Sequence, residues 1–87
     1  MSDAKRRKRR EIRALQREAT WLQKVLFGLG KAQEAREKFG DARGEPADPI
    51  LLEVDGKNLP LDAIEDALET RIQSLLEVVR ERRRNLR

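Results

Sequence analysis

Between Ile12 and Leu29 the apolar residues fall alternately three and four positions apart, at Ile12, Leu15, Ala19, Leu22, Leu26 and Leu29. This alternation is the a/d seam of a helix that lies along another helix, so the chain must contain or recruit a cover for it. Six consecutive cations, Lys5-Arg6-Arg7-Lys8-Arg9-Arg10, run directly into the seam. Positive charge at a helix start opposes the macrodipole and the neighbouring side chains repel. The expectation is therefore a basic N-terminal extension over residues 1–10, ordered when something anionic neutralises it, and a firm helix from about Glu11 to Phe39. Ser2 or Asp3 offers a cap should the helix begin earlier.

Val25, Ala32 and Phe39 lie at g positions beside the seam and widen the buried stripe to that of a bundle helix. Trp21 and Phe27 fall at c and b, away from it, either covering loop residues or forming a second contact surface. Gly28 and Gly30 interrupt good helix formers, each costing about 1 kcal/mol relative to alanine, which close approach of a second backbone or a kink would explain. Gly28-Leu29-Gly30-Lys31 is not a phosphate loop: the first glycine, the Ser/Thr after Lys31 and a preceding strand are all lacking.

Gly40 reads as the stop of this helix. Asp41 to Pro49 is rich in turn formers and forms the main linker, within a connection over residues 40–58. Ile50-Leu51-Leu52-Glu53-Val54 closed by Asp55-Gly56 reads as a brief strand and tight turn, with Lys57-Asn58-Leu59-Pro60 as a weak returning arm. A lone hairpin is marginal in water, so it should sit on the helices or pair with a second copy. A second helix follows over about residues 60–84, with Asn58 or Asp62 as cap, Asp62 and Glu65 spaced as a capping box, and Pro60 in its first turn. Leu61, Ile64, Leu68, Ile72, Leu75, Val78 and Val79 make its apolar stripe, with Ala67 and Leu76 at the edge. The fold expected is all-α: one antiparallel helical hairpin with a short β segment in the connection, dimerising into a four-helix bundle because each stripe exceeds what one helix can cover.

Antiparallel packing brings both termini to one pole. Lys5, Arg6, Arg7, Lys8, Arg9, Arg10, Arg13, Arg80, Arg82, Arg83, Arg84 and Arg87 make up twelve of the twenty Lys and Arg residues, diluted only by Asp3, Glu11 and Glu81. Between Gln33 and Thr70, eleven carboxylates face four cations, so the net charge of +4 conceals a basic pole opposite an acidic tip. Dense cations of this kind are the footprint of a phosphate-backbone binder, and they also serve as solubilising helix ends or as nuclear address labels. No Asn, Gln or aromatic interrupts the block, which favours backbone contacts on duplex DNA or structured RNA over base readout or single-strand stacking.

The block-then-heptad layout resembles that of basic leucine-zipper proteins over Lys5 to Leu29 alone. Those carry an Asn among the basic residues and Leu at most d positions of a longer zipper. Here no Asn or Gln precedes Gln16, Ala19 occupies an a position, and the chain turns back on itself.

Cysteine and histidine are both absent, which removes disulfides, thiolate or imidazole metal sites and His or Cys catalysis. Acid pairs such as Asp62 with Asp66 and Glu65 with Glu69 are explained by capping and solubility in a first helical turn. The chain is expected to be no enzyme, to need no cofactor or metal, and to be a cytoplasmic (nucleoid-associated) or nuclear protein without a membrane span. The leading expectation is a small dimeric helical nucleic-acid-binding protein, accessory or regulatory, using the twelve cations above. The alternative is a protein–protein interaction module, an adaptor or inhibitor, acting through the acidic tip and an interface drawn from Trp21, Leu22, Leu26, Phe27, Leu68, Ile72, Leu75 and Val79.

Overall fold

The structure, a computed structural model, describes residues 2–86. Helix α1 spans Asp3–Arg43, strand β1 Leu51–Val54, strand β2 Lys57–Pro60 and helix α2 Leu61–Asn85. The two helices are joined through a two-stranded antiparallel sheet and lie against each other as an antiparallel hairpin.

Helix α1 starts earlier and ends later than the sequence predicts. Ser2 caps it, its hydroxyl accepting from the Lys5 backbone N–H at 3.3 Å, and Asp3 supplies an acid in the first turn. Arg and Lys are good helix formers once capped. The start of α1 also lies beside the carboxyl end of α2, whose partial negative charge favours cations. The cationic block is accordingly part of the helix. Gly28 and Gly30 do not break it either; a Cβ built on either meets nothing within 4 Å. The a/d register simply continues past Leu29, with Gln33 and Arg36 half-buried and Gly40 buried.

Gly40 is thus not the stop. A Cβ there would stand 2.8 Å from both the Ala47 backbone nitrogen and the Glu45 carbonyl oxygen, so the returning chain lies directly on the helix where a side chain would be. The stop is Gly44, in the left-handed region at φ 72°. Its N–H bonds the Asp41 carbonyl and the Glu45 N–H bonds the Gly40 carbonyl, each at 3.1 Å, which is a Schellman ending. The Arg36 side chain fastens the linker by donating to the Asp48 carbonyl at 3.2 Å.

The hairpin forms where expected, and its returning arm is complete. Leu51 pairs with Pro60, Leu52 with Leu59, Glu53 with Asn58 and Val54 with Lys57. Asp55 at φ 52° and Gly56 at φ 76° make the two-residue turn whose twist matches the strands. β2 runs straight into α2: the cap residue is Pro60, without a side-chain cap bond, and the Leu61 N–H donates to the Ile50 carbonyl at 3.2 Å. Neither Asn58 nor Asp62 is the cap, because the strand pairing already gives the first amide a partner. Leu51, Leu52 and Val54 remain exposed, so the sheet is anchored through β2 rather than laid flat on the helices.

Among the described residues the buried apolar side chains are Ile12, Ala19, Leu61, Ile72, Leu75 and Val79. All lie along the α1–α2 contact. The molecule measures 63 × 26 × 16 Å with a radius of gyration of 18.6 Å, against about 12 Å for a compact domain of this length. So thin a core leaves Trp21, Val25, Phe27, Phe39, Leu76 and Val78 exposed. No described helix is long and apolar enough to cross a membrane.

Candidate nucleic-acid interface

Two ion pairs set the register of the helices. Arg82 meets Glu11 at 2.7 Å and Arg71 meets Glu18 at 2.8 Å. Each step forward on α1 is a step back on α2, which puts Lys5 beside the last turn of α2 and brings the terminal cations together. Residues beyond Gly30 on α1 run past the start of α2 and are met by the linker instead. Arg87 lies outside the described residues.

The hairpin is flat, and its two broad faces differ in charge. On one face the crevice between the helices is lined by Arg9, Ile12, Arg13, Gln16, Arg83 and Leu86, and continues along Leu76, Val79, Arg80 and Arg84. Its two sections hold about 240 and 340 Å³. Five guanidinium groups rim a largely apolar floor that includes Gln16, and no carboxylate is among the described residues that line it. On the opposite face the crevice is lined by Lys8, Glu11, Ala14, Leu15, Glu18, Arg82 and Asn85, where the acids hold the two interhelix bridges.

This sidedness sorts the predicted cations. Arg9, Arg13, Arg80, Arg83 and Arg84 share the acid-free groove, and Lys5 lies one turn before Arg9 on the same side of α1. Arg6 and Arg10 lie on the outer side of α1, in a row that Arg13 and Arg17 continue at helical spacing. Arg7 lies between that row and the bridged face, where Lys8 is also found. Arg82 is engaged with Glu11. All these side chains are exposed. Five clustered guanidinium groups give this face a field that can attract an extended polyanion.

The predicted protein interface divides. Ile72, Leu75 and Val79 are buried in the chain's own core, and Leu22, Leu26 and Leu68 are half-buried beside them. Trp21 is 64% exposed and Phe27 68% exposed, on different sides of α1. Lys24 lies 4.3 Å from the centroid of the Trp21 ring and Lys31 lies 5.3 Å from that of Phe27. Such cation–ring contacts are modest at exposed sites.

What the sequence did not reveal is which cations share a face. Charge spacing along one helix is visible in the chain, but the pairing of Glu11 with Arg82 depends on the stagger between two helices. A faint signal exists: Glu11 is the lone acid in the first four turns after Asp3, and its position in the seam's flank is that of an interhelical bridge. Comparison of the chain with protein-family models, curated proteins and solved structures returns no match.

Proposed function

We propose that the protein is a small helical nucleic-acid-binding protein, working as a dimer in an accessory or regulatory role, that contacts the phosphate backbone of duplex DNA or structured RNA through its arginine groove. The observation that carries this reading is the acid-free groove rimmed by Arg9, Arg13, Arg80, Arg83 and Arg84, contributed by both ends of the chain. Arginine presents a planar fork that matches phosphate oxygens. The floor beneath the fork is formed by Ile12, Leu76, Val79 and Leu86 with Gln16. The Arg6, Arg10, Arg13 and Arg17 row extends the positive surface along α1 for further phosphates.

If the five groove arginines each neutralise one phosphate, log K falls against log salt with a slope of about −4.5, or roughly 500-fold in affinity between 50 and 200 mM. The test is fluorescence anisotropy of labelled duplex DNA and of an RNA hairpin. Changing Arg80, Arg83 and Arg84 together to Gln should lower affinity and flatten the slope by about 2.7. Arg82→Gln should change either far less. No binding at 50 mM salt, or equal losses from both variants, would overturn the groove as the site.

The adaptor reading retains one observation of its own, the exposed Trp21 and Phe27. It predicts that Trp21→Ala abolishes a protein contact that the groove variant leaves intact.

A further inference from the structure

Helix α1 carries a second heptad seam, distinct from the one that α2 covers. Trp21, Val25, Gly28, Ala32, Ala35 and Phe39 are spaced alternately four and three apart. Every member is exposed, with Trp21 64%, Val25 50% and Phe39 49% accessible. A Cβ on Gly28 would meet nothing within 4 Å, so the centre of the seam is open. The seam extends back to Ala14, which lines the bridged crevice, and so lies on the side of the hairpin away from the arginine groove.

The seam is self-complementary about Gly30. Reading outward from that point, Gly28 and Ala32 are equidistant, then Val25 and Ala35, then Trp21 and Phe39. An antiparallel two-fold pair therefore sets Gly28 against Ala32, Val25 against Ala35 and Trp21 against Phe39 of the second copy. Each is an a-to-d layer, the pairing that antiparallel coiled coils use. Small residues at the centre allow the backbones close approach, and a Trp21–Phe39 pair closes each end.

We infer that this seam is where a second copy of the chain docks, antiparallel through α1, with the two-fold axis near Gly30. This deepens the dimer of the proposed function and is independent of nucleic-acid binding. Charge chooses the direction. A parallel pair would set one cationic block against the other, whereas the antiparallel pair about Gly30 places the two blocks at opposite ends of the assembly. Covering the exposed parts of the seam and its flanking stems removes on the order of 1,000 Å² in total, at the lower bound for a specific pair. The arginine grooves stay open, at opposite ends of a rod and about 50 Å apart at 1.5 Å per residue.

Lys24, Lys31 and Lys38 flank the seam at heptad spacing and face like charges across the axis. Association should therefore tighten with salt, the opposite of phosphate binding.

Sedimentation equilibrium of the full chain, without nucleic acid, at 50 mM and 500 mM salt tests this. The expected result is a monomer–dimer equilibrium strengthened by salt, weakened at least tenfold by Ala32→Arg and unchanged by Phe27→Ala on the other side. Because the chain has no cysteine, mixed single variants Gly28→Cys and Ala32→Cys report register directly. They should crosslink to each other in preference to themselves. A monomer at 100 µM, loss of association in Phe27→Ala but not Ala32→Arg, or self-crosslinking of Gly28→Cys in preference to the mixed pair would each overturn the inference. Failure of DNA binding would leave all of these readouts unaffected.

Discussion

Replacing Gly40 by alanine should destabilise a helix in which glycine is ordinarily a defect. In a helix interior Gly→Ala is favourable by about 1 kcal/mol. At Gly40 the added methyl would lie 2.8 Å from two backbone atoms, the Ala47 nitrogen and the Glu45 oxygen. Backbone cannot rotate away as a side chain can, so relief requires lifting the linker that Arg36 holds through Asp48. Overpacking of this kind costs about 1–3 kcal/mol. With the propensity gain deducted, the net loss is about 0–2 kcal/mol, a fall in Tm of up to about 16 °C for a domain of this size. Gly30→Ala is the internal control, because a Cβ there meets nothing and the position lies off the second seam. It should raise Tm by about 4–8 °C. Thermal unfolding by circular dichroism, at a concentration low enough to hold the protein monomeric, measures both. Equal stabilisation by the two substitutions would refute the close approach at Gly40.

Two further substitutions test what holds the helices together. Leu75 is 3% exposed in a core of few buried side chains, so Leu75→Ala should cost about 2–4 kcal/mol and abolish cooperative urea unfolding; a loss below about 1 kcal/mol would mean that the helices are held elsewhere. The Glu11–Arg82 bridge joins side chains about half exposed, so a double-mutant cycle with Glu11→Gln and Arg82→Gln should give a coupling of about 0.2–1 kcal/mol that vanishes at 1 M salt. A coupling that survives high salt would show that the pair is more enclosed than its half-exposed side chains imply.

The parts of the fold legible in the chain are those fixed by periodicity. The Ile12 to Leu29 seam, its cover on the second helix and the Asp55-Gly56 turn each follow from local spacing and turn chemistry. The helix ends do not. Gly40 has the composition of a stop, yet its neighbours in space are residues of the returning linker, and only the three-dimensional path shows why a side chain is excluded there. Pro60 reads as part of a first helical turn, whereas the Ile50 carbonyl, reached across the hairpin, provides the Leu61 amide with its partner. The convergence of the two cationic ends is legible once the helices are taken as antiparallel. The division of those cations between an acid-free groove and a bridged face is not, since it rests on the stagger that matches Glu11 to Arg82. Spacing places the g residues Val25, Ala32 and Phe39 in the buried stripe of α1; with one covering helix they stay exposed and line the second seam.

In the proposed function, cations from the two ends of the chain act as one phosphate-binding surface. The most direct test is the salt dependence of duplex DNA affinity, compared between the wild type, a variant with Arg9 and Arg13 changed to Gln, and one with Arg80, Arg83 and Arg84 changed to Gln. If both ends contribute, each variant flattens the log K against log salt slope, by about 1.8 and 2.7 respectively. A slope altered by only one of the variants would assign binding to a single helix and contradict the shared groove.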